Sequence, residues 1–152
     1  SAGAAAHDSL VAQGLIITDG GFNGIDSGGL SNELLSNPNL DNNAEDWSVL
    51  GSVTKNSSSV TFNVESGQDG RLTSANTNTI LGDTYYCKIT VENYISGDVK
   101  FETLSSDVFN VNGNGEFAVL KTSVAPSGDE FFIRRQVEAK MEITSVSLKK
   151  LL

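Results

Sequence analysis

The chain carries a single cysteine in 152 residues. One thiol can form neither an internal disulfide nor a multi-thiolate metal site, which leans away from a disulfide-stapled secreted domain. Cys87 lies in the run Tyr85-Tyr86-Cys87-Lys88-Ile89-Thr90-Val91, where alternation sets it on one face with Tyr85, Ile89 and Val91. It is expected to behave as a small buried hydrophobe. Histidine is as scarce: His7 stands beside Asp8 and Ser9 and has no second imidazole anywhere in the chain. Triad partners meet in space on rigid elements rather than as consecutive residues, and one histidine cannot build a histidine-based zinc site.

Positive charge is also thin. Ten basic residues are scattered among nineteen acidic ones, giving a net charge of −9. With no positive face to neutralise phosphates, nucleic acid is a poor partner. Apolar runs such as Leu15-Ile16-Ile17 fall far short of the roughly 20 residues that cross a bilayer, and no basic leader precedes one, so neither a membrane partner nor a retained signal peptide is expected. Aromatics make up only 7% of the chain and most are Phe, so a rich ring platform is missing.

Carboxylates are plentiful, but Asp98, Glu102, Asp129, Glu130, Glu138 and Glu142 read as a solvated face rather than as an acid–base pair held across a scissile bond. The oxygen-rich stretch Asp41-Asn42-Asn43-Ala44-Glu45-Asp46 lacks the spacing of an EF-hand loop. These residues yield no catalytic set, no metal ligands and no cofactor, and the chain is expected not to be an enzyme.

What is present is β chemistry. At this length one core is expected, and Asn, Ser, Thr and Gly are abundant around short runs rich in Val, Ile, Thr, Phe and Tyr. Thr84 to Asn93 has period two, with Tyr85, Cys87, Ile89 and Val91 on one face and Tyr86, Lys88, Thr90 and Glu92 on the other. Ser96-Gly97-Asp98 reads as a tight turn into a hairpin partner beginning at Val99. Strands are expected also at Ser59 to Glu65, Gly115 to Lys121, Asp129 to Gln136 and Ala139 to Leu148, the last with a β-bulge around Thr144-Ser145, where the step from Ile143 to Val146 breaks the period. Residues 1–32 differ. Six glycines fall between Gly14 and Gly29, yet Leu10, Val11, Leu15, Ile16, Ile17 and Phe22 are more apolar than a solvated tail requires. This segment reads as an arm that packs on a partner, ahead of a domain over residues 33–152. The start Ser1-Ala2-Gly3 fits equally a short product whose initiator methionine was removed and a piece cut from a larger protein.

Four motifs in order carry a resemblance: Leu34-Leu35-Ser36-Asn37-Pro38-Asn39-Leu40, Trp47, Gly82-Asp83-Thr84-Tyr85-Tyr86 and Val146-Ser147-Leu148. Their sequence along the chain resembles the carbohydrate-binding-module family 4/9-like jelly-roll, over roughly residues 33–150. Leu40 stands where the family often has Phe, and Asp46 where it has Gly. Thr144-Ser145 stands where calcium-bearing members have an acidic residue, which leaves a structural calcium doubtful. The resemblance implies a jelly-roll β-sandwich of two antiparallel sheets. Such domains occur on secreted polysaccharide hydrolases and in bacteriophage tail fibres, tailspikes and capsid-decorating proteins. Two functions are therefore expected. The first is a bacteriophage virion protein, most simply a capsid decoration protein, homo-oligomeric and held on capsid or other virion subunits by the arm residues Leu10, Val11, Leu15, Ile16, Ile17 and Phe22. The second is a glycan-binding module of a tail fibre, tailspike or secreted hydrolase, with Tyr86 and Tyr94 as stacking rings and Lys88, Arg134 and Gln136 as polar partners, reading a cell-surface glycan. Phe131-Phe132 and Leu151-Leu152 present apolar groups that either cover a sheet edge or mark a subunit contact.

Overall fold

Alternating β-branched and aromatic residues bury one side of a strand and leave the other to solvent, so a chain built of them must wrap its sheet around one interior. The computed structural model describes residues 29–74, 77–101, 108–109, 111, 113–123 and 131–152, without the side chains of Phe101, Val108, Phe109, Phe131, Phe132 and Gln136. Among them, strands β1 (Trp47–Gly51), β2 (Val53–Lys55), β3 (Val60–Val64), β4 (Gly70–Ser74), β5 (Thr84–Phe101), β6 (Val108–Phe109), β7 (Gly115–Thr122) and β8 (Phe131–Lys150) follow one four-residue turn, α1 (Asp41–Ala44). The all-β expectation holds: among the described residues the regular structure is nearly all antiparallel strand, in a barrel-like or sandwich arrangement.

The long strand β8 organises the sheet. One of its edges pairs with β5 from Tyr85↔Lys150 to Phe101↔Ile133. Its other edge pairs with β3 at Val60↔Ile143 through Val64↔Ala139 and then with β4 at Arg71↔Arg134 through Ser74↔Phe131. β2 adds outside β3 and β1 outside β4, while β5 takes β7 and β6 on its far edge. Residues 29–34 lie along the end of β8, through a Leu30↔Leu151 bridge and a hydrogen bond from the Leu34 N–H to the Leu148 carbonyl (2.9 Å).

A single core fills the interior, with Trp47, Phe62, Leu72, Tyr85, Cys87, Ile89, Ile133, Ile143 and Leu148 buried together. Burying each of the large side chains contributes about 1.5–3 kcal/mol. The bulge expected near Thr144 is present: Thr90 pairs with Ser145 but Val91 pairs with Ile143, leaving Thr144 as the extra residue. This bulge keeps both Ile143 and Val146 in the core. The hairpin expected at Ser96-Gly97-Asp98 is not formed. β5 runs on through those residues with register shifts around them. Gly97 has φ 81, and a Cβ there would lie 2.2 Å from the Glu138 carbonyl oxygen, so the glycine serves a close approach of β5 to β8 at a register shift instead of a turn.

Before β1 the backbone turns left-handed at Leu40, Asn42, Asn43 and Ala44, a conformation that Asn tolerates better than other L-residues. Asn37 clamps this turn: its Oδ1 accepts from the Asp41 N–H (3.1 Å), and its Nδ2 donates to the Asp41 carbonyl (2.8 Å). Trp47 Nε1 donates to the Asn37 carbonyl (2.8 Å), seating the buried indole under the same loop. The described residues contain no group of three or more His, Cys, Asp or Glu side chains placed to hold a metal ion.

Candidate functional site

The outward face of β7, β5 and the end of β8 carries a regular lattice of side chains. Register places Leu120, Tyr86 and Lys149 in one row, Ala118, Lys88 and Ser147 in the next, and Glu116, Thr90 and Ser145 in the third. Residues in a row stand about 5 Å apart. The segment after Leu30 rises beside this face, and together they enclose a groove of about 460 Å³ whose walls include Leu30, Glu33, Pro38, Asn39, Tyr86, Lys88, Glu116, Ser145, Ser147 and Lys149.

Glu33 fastens the groove's outer wall. Its Oε1 accepts from the backbone N–H groups of Leu34 (3.1 Å), Leu35 (3.2 Å) and Leu148 (2.8 Å), and its Oε2 accepts from the Ser147 hydroxyl (2.6 Å). Hydrogen bonds to a charged acceptor are each stronger than neutral ones; two of the four fold the opening segment on itself, and two tie it to β8. Across the floor, Lys88 Nζ pairs with Glu116 Oε1 at 2.9 Å, and Ser145 Oγ donates to Thr90 Oγ1 at 2.7 Å. Burial, together with the charge of Glu116, pushes the Tyr86 phenol up to about 12, so its hydroxyl stays protonated.

Of the residues expected to bind ligand, the structure brings Tyr86 and Lys88 into this groove. Tyr86 is nevertheless only 8% exposed rather than an outward platform; Leu120 and Lys149 flank it in its row. Tyr94 lies elsewhere. It packs half-buried against the core with its backbone N–H on Asn114 Oδ1 (2.8 Å), eight positions further along β5, or roughly 25 Å of extended strand. Arg134 sits towards the opposite end of β8, where its Nε meets Asp69 Oδ1 at 3.2 Å. The side chain of Gln136 and the arm residues Leu10, Val11, Leu15, Ile16, Ile17 and Phe22 lie outside the described residues. Sequence reasoning missed Glu33, Glu116, Ser145, Ser147 and Lys149. Alternation past the Thr144 bulge would have found Ser145, Ser147 and Lys149; nothing local marks Glu33.

No protein-family model matches the chain, and no curated protein does. Among solved structures, the chain is similar to the enzymatically active domain of tailspike protein 4 of bacteriophage CBA120, with a TM-score of 0.50 and 14% identity. The match covers 78% of this chain and 22% of that one, so this chain spans about a fifth of the tailspike fragment. The likeness is one of fold, and the resemblance to a carbohydrate-binding module finds no matching family. It also corrects one expectation. A fold of this kind occurs within a fragment described as enzymatically active, so the exclusion of catalysis drawn from the sequence does not stand. The physical reason is that carboxylates scattered in sequence can converge in space: Glu33 and Glu116 line the same groove.

Proposed function

We propose that this chain is a glycan-binding β-sandwich module of a bacteriophage tail-associated protein, and that its ligand lies in the groove over β5 and β8. The observation that carries this reading is the convergence of Tyr86 and Lys88 with Glu116, Ser145, Ser147 and Asn39 in one concavity. Sugars present apolar C–H faces ringed by hydroxyls, and a groove that mixes Leu30, Pro38 and the rim of Tyr86 with amine, carboxylate and hydroxyl groups matches both. The likeness to a tailspike fragment supports the tail setting. Capsid decoration rests on the arm residues Leu10 to Phe22, which lie outside the described residues.

The test is binding of the purified chain to an array of bacterial surface polysaccharides, followed by titration calorimetry on those retained. Lys88→Ala is expected to weaken binding about tenfold at unchanged thermal midpoint, since its exposed ion pair contributes little to stability. Arg134→Ala should leave affinity unaltered. Retention of no polysaccharide, or equal binding by the Lys88 variant, would overturn the assignment.

A further inference from the structure

Resting on the groove being a glycan site, we infer that its ligand is an acidic glycan and that Lys149 seats a sugar carboxylate. The groove holds four ionisable side chains besides Tyr86, and three are already engaged. Glu33 accepts four hydrogen bonds from the protein itself, and Lys88 and Glu116 neutralise one another. Lys149 has no hydrogen-bond or ion-pair partner among the described residues.

Lys149 differs in this from the other lysines. Lys55 donates to the Ala44 carbonyl (3.1 Å), Lys140 meets Glu65 (2.6 Å) and Lys150 meets Asp83 (2.6 Å). Lys100 and Lys121 are engaged as well. In a chain with nineteen acidic residues, a partly buried lysine that is paired with no carboxylate among the described residues is conspicuous. Its place is fixed: β5–β8 register sets it directly across from Tyr86, with Ser147 two positions back on the same face. An ammonium with no carboxylate paired to it, in a concave site, is complementary to a carboxylate. The net charge of −9 does not oppose this at close range, because at physiological salt charges beyond about 8 Å are largely screened.

The experiment compares each polysaccharide retained in the array test in two forms, native and with its carboxylates reduced to alcohols. The wild-type chain should bind the native form about tenfold more tightly. Lys149→Gln should lose that margin on the native form and bind both forms alike, while Lys149→Arg keeps the preference. Lys149 holds no partner among the described residues, so the thermal midpoint should not move. If the reduced form binds wild type as well as the native form does, or Lys149→Gln binds as wild type, the acidic-ligand inference falls, and the Lys88 result decides separately whether the groove reading stands. Retention of no polysaccharide in either form overturns both.

Discussion

At the scale of single residues, sequence reasoning was most accurate where alternation alone decides. Tyr85, Cys87, Ile89 and Val91 are legible as core because their faces are set by period two, and all four are buried. It was least accurate where exposure depends on neighbours from elsewhere in the chain. Tyr86 points outward as alternation requires, yet it is buried, in a groove that it shares with the segment from Leu30 to Asn39. Glu142 is a similar case. Expected on a solvated face, it instead accepts hydrogen bonds from the Ser59 hydroxyl and from Asn93 Nδ2 (2.6 Å), although Glu92 stands directly across from it on β5. The Ser59 bond first, then the Asn93 bond, hold its carboxyl below the ordinary range, against a smaller opposing effect of burial. An acid whose folded-state titration is lowered stabilises the fold above its unfolded titration point and loses that contribution as pH falls through the folded one. Glu142→Gln should therefore cost about 1 kcal/mol at pH 7, the low end for bonds to a charged group because the site is partly exposed. The difference from wild type should shrink as pH approaches 3 in denaturant titrations. A pH-independent difference would show that the ionised form has no special role.

At the scale of elements, the sequence located strands well and their continuity poorly. β3 and β7 begin and end close to where their turn residues suggest. The expected strand Thr84 to Asn93 stops short of the full β5, because glycine beside Ser and Asp at Ser96-Gly97-Asp98 has the chemistry of a turn whether it makes one or lies tight against a partner strand. Only the position of Glu138, far along the chain, distinguishes the two. The two cases separate experimentally. Gly97→Ala adds a methyl group into the Glu138 carbonyl at φ 81, whereas Gly82→Ala, at φ 87, meets nothing within 4 Å. The first should lower stability by at least about 2 kcal/mol and the second by about 1 kcal/mol, the strain alone. Urea midpoints measure both. Equal losses would mean that β5 can lift from β8 at this close approach without penalty.

At the scale of the molecule, the class of fold was legible because composition and spacing are global properties, while the groove was not, because it joins the start, middle and end of the chain. Tyr86 and Lys88 meet Ser145 to Lys149 through the pairing of β5 with β8, and Leu30 and Glu33 join them through the pairing of residues 29–34 with the end of β8. A shared core has a further consequence. Burial above all, with a contribution from Glu33 that Lys121 partly opposes, raises the Cys87 thiol well above its ordinary range. A protonated, enclosed thiol should react with a disulfide reagent only when the whole sheet opens. Leu72→Ala, on the distant strand β4, should lower stability by about 2–5 kcal/mol. Labelling of Cys87 should accelerate by the matching factor if the core unfolds as one unit. Labelling that ignores the Leu72 change would reveal that the β5–β7 region opens on its own.

The pairing of residues 29–34 with the end of β8 also bears on how the domain carries load. The described chain enters and leaves at adjacent points, Leu30 opposite Leu151, so tension applied through the two ends acts across that antiparallel pair instead of along it. Hydrogen bonds loaded this way break in succession, as a zip opens, instead of resisting together in shear. The first contacts to yield, from Leu151 towards Leu148 and Glu33, belong to the wall of the groove. A bound ligand bridging that wall to Lys88 would act as a pin through the zip, and pulling on the domain would in turn loosen its grip on the ligand.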